Sequence, residues 1–202
     1  MRTIGFIIFL LIITESSVAQ RFHGGIFAGG VVSQVQGDPY GGFNKIGPYG
    51  GGFVSLNFSD LISIQMEFDF IQKGSRENAD LEKGKYDSYL LRINYLEVPL
   101  LFQLTFFNRL SGEIGPAMDV LISSYEESNQ QEVENVIPLR PVTFCGIIGA
   151  SVFIIPQLKI NFRFIMSILS IRDGIGNGYY KRFGQYGQYN DVLSLTLLYK
   201  IK

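Results

Sequence analysis

Several long stretches of this chain alternate apolar and polar residues one by one. In the third of them, Ile62, Ile64, Met66, Phe68 and Phe70 share one parity, and Ser63, Gln65, Glu67 and Asp69 share the other. Leu158, Ile160, Phe162, Phe164 and Met166 stand likewise against Lys159, Asn161 and Arg163. Near the end, Leu193, Leu195, Leu197, Tyr199 and Ile201 oppose Ser194, Thr196 and Lys200. A two-residue period belongs to β-strands, and no helix produces it. Each stretch runs about a dozen residues, where about five or six is usual in a soluble sheet. That length suits a strand crossing a bilayer at a tilt.

Eight such segments are expected: 22–35, 46–58, 62–73, 88–105, 110–123, 140–154, 158–170 and 191–202. Their connections alternate in length. Those at 36–45, 74–87, 124–139 and 171–190 are long, and those at 59–61, 106–109 and 155–157 are short. Bacterial outer-membrane barrels behave this way, with long loops outside and short turns in the periplasm. An even strand number puts both ends of the barrel on the short-turn side. The predicted fold is therefore all-β: an eight-stranded antiparallel up-and-down transmembrane β-barrel.

Composition agrees. The 202 residues are 47% hydrophobic and only 17% charged, below the roughly 25% charge of an average soluble domain. No internal apolar run reaches the ~18 residues of a membrane-spanning helix, so the apolar excess is spread along strands. If the apolar faces turned inward, Phe, Leu, Ile and Met at every second position would overfill an eight-stranded interior. Turning them to lipid solves this, and closure then satisfies the backbone groups as hydrocarbon demands. Residues 1–19 read as a secretory signal peptide: Arg2, an apolar run from Ile4 to Ile13, then Ser17-Val18-Ala19 as the cleavage site. Residues 20–202 form the barrel domain, destined for the outer membrane of a Gram-negative cell. Its expected surroundings are the lipid bilayer and the barrel-assembly machinery.

Polar parity places a charge network in the lumen: Glu67, Asp69, Arg92, Glu97, Glu113, Asp119, Lys159 and Arg163. Buried ions must pair, since an unpaired one costs several kcal/mol. Arg92 is expected beside Glu67 and Asp69, with Lys159 and Arg163 reaching Glu97 or Glu113 across the bore. Such a network fills and closes an eight-stranded barrel, though an ion path uses the same residues. The fourth segment changes parity, because Arg92 and Asn94 precede Glu97 and Gln103 out of phase. This predicts a β-bulge at 95–97. Tyr49, Phe58, Tyr86, Tyr89, Phe106, Phe107, Tyr189 and Tyr199 fit interfacial aromatic girdles.

The run Tyr95-Leu96-Glu97-Val98-Pro99, followed by Gly115-Pro116, resembles the PorT-like outer-membrane β-barrel family of Bacteroidota. Gln72-Lys73-Gly74 and the tyrosine-bearing last segment fit as well. The resemblance implies an eight-stranded barrel behind a signal peptide, and its namesake is associated with a secretion and gliding apparatus. It supplies no catalytic motif. Barrels of this kind commonly end on an aromatic residue read by the assembly machinery, whereas this chain ends Tyr199-Lys200-Ile201-Lys202.

No catalytic, cofactor-binding or metal-ligating residue is expected, and no cofactor. His23 is the only histidine and Cys145 the only cysteine, which leaves no His triad, no internal disulfide and no Cys-based zinc site. A net charge of −1 gives no reason to expect nucleic acid. Glu126, Glu127 and Glu134 make the third long loop acidic, which reads as a solvated loop rather than, as the alternative, a calcium site. The fourth carries Tyr179, Tyr180, Lys181, Arg182, Phe183, Tyr186 and Tyr189 among glycines and is the best candidate for a binding surface, its aromatic rings either meeting a protein partner or lying on lipid headgroups. Three functions fit: a structural or interaction barrel accessory to secretion or surface assembly, a small porin-like channel or ligand transporter, and a lipid-modifying enzyme. The histidine count disfavours the last.

Overall fold

The computed structural model describes residues 21–80, 82, 84, 86–107, 109–133, 137–173 and 180–201. The expected leader at 1–19 lies outside them, as do Glu134 and Tyr179. Among the described residues eleven strands follow one another: β1 (Arg21–Gln36), β2 (Lys45–Asn57), β3 (Ile62–Glu77), β4 (Tyr89–Phe106), β5 (Leu110–Ser128), β6 (Gln131–Glu132), β7 (Val142–Ile155), β8 (Leu158–Ser167), β9 (Arg172–Asp173), β10 (Tyr180–Arg182) and β11 (Gln185–Ile201). Eight form a closed antiparallel ring in the order β1-β2-β3-β4-β5-β7-β8-β11. The last strand closes on the first, from Gly24 opposite Ile201 to Gln36 opposite Tyr189. Among the described residues no helix is long and apolar enough to cross a membrane.

The side-chain period sorts the two faces. Phe68, Phe162 and Leu195 are 63%, 50% and 61% exposed, on the outer wall. Glu67 and Arg163 are 2% and 0% exposed, in the bore. In water such an apolar exterior would drive association; in acyl chains it is the stable arrangement. On β4 the outward residues Leu96, Val98, Leu100, Phe102, Leu104 and Phe106 span the roughly 9–11 residues that a tilted crossing needs. β4 and β5 are longer than that, at 18 and 19 residues, so their upper ends stand clear of the hydrocarbon.

Those upper ends account for two departures from expectation. β3, β5 and β11 run into the expected loops at 74–87, 124–139 and 171–190, because polar residues go on pairing in the ladder above the lipid, up to Glu77 and Ser128 on either side of Tyr89. The irregularity in the β4–β5 ladder falls between Asn94 and Tyr95, near the predicted site, but the extra residue is on the other strand. Asn94 pairs with Ser123 and Tyr95 with Leu121, leaving Ile122 unpaired. β4 itself alternates without a break from Tyr89 to Gln103, and β5 changes phase. Gly74, in the Gln72-Lys73-Gly74 run, adopts φ +139°, and a Cβ there would lie 1.9 Å from the Leu91 carbonyl oxygen. Its own carbonyl accepts a 2.9 Å hydrogen bond from Ser33 Oγ, two strands away.

Candidate functional site

The bore holds two stacked ionic layers. β8 and β3 stand on opposite sides of the ring, and Arg163 on β8 spans the gap. Its Nη1 and Nη2 each donate at 2.6 Å to the Glu67 carboxylate, while Nε donates at 2.5 Å to Glu113. Asn161 and Gln103 also donate to Glu113, at 2.8 and 2.9 Å, and Gln65 donates to Glu67. The inner wall makes room for this layer at Gly149, where a Cβ would lie 2.7 Å from Glu113 Oε1 and 3.0 Å from Arg163 Cγ.

The second layer lies toward the long-loop side. Lys73 Nζ sits 2.7 Å from both Glu97 Oε2 and Asp119 Oδ2, and 3.8 Å from Cys145 Sγ. Glu97, Asp119 and Cys145 bring three potential ligand atoms within 4.8 Å of one another; the lysine ammonium stands among them as the cation. Tyr49 joins the layers, donating at 3.3 Å to Glu97 Oε1 and accepting at 2.8 Å from Arg163 Nη1. Asp69, fully buried beside them, has no hydrogen-bond partner among the described residues for either carboxylate oxygen.

Seven of the eight charges expected in the lumen are buried there: Glu67, Asp69, Glu97, Glu113, Asp119, Lys159 and Arg163. Arg92 is not. It is exposed on the outward parity of β4, with its guanidinium 5.9 Å from the Tyr125 ring. Next to it, outward Asn94 donates to Ser123 Oγ at 2.9 Å. Above the hydrocarbon an outward charge meets water, so polarity no longer marks the inner face. The network's central cation, Lys73, was absent from the sequence-based set although it continues the parity of Glu67 and Asp69. The girdle also needs correcting: Tyr49 and Tyr89 point into the lumen and Tyr189 is buried.

Toward the long-loop mouth, Leu139 and Ile171 are buried in the apolar cluster with Leu91 and Ile93. Ile171 is fixed by its backbone, donating to the Gln188 carbonyl and accepting from Arg140 N, both at 2.8 Å. Glu126 is not a freely solvated acid. It pairs with Arg172 at 2.7 Å and accepts from Tyr89 Oη at 2.8 Å. Tyr89 in turn stacks on Tyr40, ring centres 4.5 Å apart. In the same first loop, burial pushes the Asp38 carboxyl up to about 6, and its Oδ1 accepts from Tyr40 N at 3.0 Å.

The fourth loop builds a hairpin, β10 against the start of β11, with Arg182 opposite Gln185. Its two tip residues, Phe183 and Gly184, have φ of +46° and +86°, the backbone of a tight I′ turn. Arg182 is the pedestal. It donates to both Asp191 oxygens, at 2.8 and 2.9 Å, and its guanidinium packs beside the Tyr180 and Tyr189 rings, 5.4 and 5.1 Å from their centres, while the two rings meet edge-on at 6.3 Å. Tyr180, Phe183 and Tyr186 remain exposed above it.

Closed strand ring, apolar exterior and ionic interior together define a membrane-spanning barrel of the bacterial outer-membrane kind. The chain belongs to the outer membrane protein beta-barrel domain family, whose pattern matches residues 15–173, and its place is the outer membrane. No curated protein matches it. Solved structures similar to it include Ail, the attachment invasion locus protein of Yersinia pestis, solved with the heparin analogue sucrose octasulfate. Ail is 13% identical, with 90% of this chain and 99% of that chain covered and a TM-score of 0.48. Neisserial surface protein A is 8% identical, covering 89% and 97%, with a TM-score of 0.48. OprG of Pseudomonas aeruginosa is 14% identical, covering 89% and 94%, with a TM-score of 0.39.

Proposed function

We propose that this protein is a non-catalytic outer-membrane interaction barrel, displaying a rigid aromatic hairpin to a protein partner outside the cell. The observation that carries this reading is the hairpin itself. Phe183 holds a left-handed backbone, which costs a non-glycine residue on the order of 1–3 kcal/mol, at an exposed tip braced by Arg182. Exposed aromatic rings on a fixed support give large contact area at low entropy cost. The PorT-like motifs suggest accessory service to a secretion or surface-assembly apparatus, with delivery through the barrel-assembly machinery.

The channel alternative needs a continuous path, and the Arg163 bridge across the bore argues against one. The lipid-modifying alternative needs a base, and the sole histidine, His23, stands near the start of β1. Affinity capture from mildly solubilised outer membrane, comparing wild type with Phe183→Gly, tests the proposal. Glycine relieves the backbone but removes the ring, so the variant should insert normally and lose the co-purifying protein. Equal capture by both proteins, or steady single-channel conductance of the wild type in planar bilayers, would overturn it.

A further inference from the structure

The short-turn end of the lumen differs from the rest of the bore. Below the Arg163 layer a cavity of about 110 Å³ opens toward the periplasmic side, and Lys159, Lys200, Gln65, Gln103, Ser55 and Ser63 line it. Lys159 is 8% exposed. Among the described residues it has no carboxylate within ion-pairing distance, and its ammonium lies 5.8 Å from the centre of the Phe153 ring. A lysine has three N–H donors and no acceptor, so burying it without an anion is costly.

The acid above it is already engaged. Glu113 Oε1 accepts from Arg163 and Asn161, and Oε2 accepts from Gln103. The register puts a second cation on the same wall. Leu198 is the cross-strand partner of Lys159, and Lys200 lies two residues further along the same face of β11, a diagonal neighbour within reach of long side chains. Two ammonium groups thus face a small space whose other polar lining is neutral.

We propose that the periplasmic mouth of the lumen binds a small oxyanion, a carboxylate or phosphate group, between Lys159 and Lys200. Hydroxyls of Ser55 and Ser63 and the amides of Gln65 and Gln103 complete its surroundings. The site is separate from the extracellular hairpin and stands whether or not that hairpin binds a partner. The cavity has room for a single acidic group between the two lysines.

The test is calorimetric titration of the full barrel in uncharged detergent, at fixed ionic strength in Tris chloride. Sodium phosphate is used in one arm and sodium acetate in the other. Saturable binding in at least one arm is expected, and the arm that responds identifies the ligand's acidic group. Lys159→Met should weaken that binding at least tenfold and Lys200→Gln several-fold. Lys181→Gln, on the exposed hairpin, should leave it unchanged. Should Lys159→Met fail to fold, Lys200→Gln carries the comparison. Absence of saturable binding in both arms, or an unchanged Kd in the Lys159 and Lys200 variants, would overturn the site.

Discussion

Replacing Arg163 with methionine should be among the most damaging single changes in the barrel. The side chain is fully buried and donates four hydrogen bonds: two to Glu67, one to Glu113 and one to Tyr49. Methionine fills most of the same volume, so the cavity term is small and the electrostatic term is isolated. What remains is a pair of buried carboxylates on β3 and β5. Removing one partner of a buried ion pair costs about 3–5 kcal/mol. The neighbouring amides of Asn161, Gln103 and Gln65 keep the loss within that range by holding the carboxylates in place. The assay is urea unfolding of the barrel in phosphatidylcholine vesicles, followed by far-UV circular dichroism because the chain has no tryptophan. Arg163→Met combined with Glu67→Gln should recover part of the loss, with a coupling energy of about 0.5–3 kcal/mol. A single-variant loss below about 1 kcal/mol, on the scale of an exposed pair, would mean the bore is wet and the network does not close it.

Two further outcomes follow from neighbouring groups. Asp69 has no hydrogen-bond partner among the described residues and stands beside the Glu67 carboxylate, so Asp69→Asn, which removes a like charge and supplies a donor to Glu67, should raise urea stability by about 1 kcal/mol, the net worth of a typical hydrogen bond; a drop of similar size would point to a bound cation or water holding the acid. Asp38 titrates at about 6 in the folded loop because of its burial, against about 3.9 in an unfolded chain. The raised value means the folded loop favours the protonated form, so its contribution to stability is full below pH 4, falls as pH rises toward 6 and is flat above that. In a comparison of wild type with Asp38→Asn between pH 4 and pH 7, the variant should lose less stability across that window, and identical slopes would refute the assignment.

Most of the ring was legible because a strand in a membrane writes its orientation twice, once in apolar residues facing lipid and once in polar residues facing inward. Glu67, Asp69, Lys159 and Arg163 follow directly from that parity, and the strand ends at the short turns fall within a residue of the expected bounds. Arg92 shows where the rule stops. Parity reads face only within the hydrocarbon; above it, outward residues contact water, and Arg92 and Asn94 report depth rather than side. Treating them as inward forced a phase change onto β4 that the strand does not contain.

The true phase change was also present in the sequence, one strand later. Glu113 and Asp119 share odd parity on β5, whereas Glu126 is even and yet points inward to Arg172 and Tyr89. Only an extra residue between Asp119 and Glu126 reconciles them, and Ile122 is that residue. The bulge therefore does more than bend an edge. It turns Glu126 inward above the membrane, where the acid joins the first loop to the fourth through Tyr89, Tyr40 and Arg172. An insertion in one strand of an eight-stranded ring thus sets which face of β5 meets the loops, and with it how those loops pack on one another.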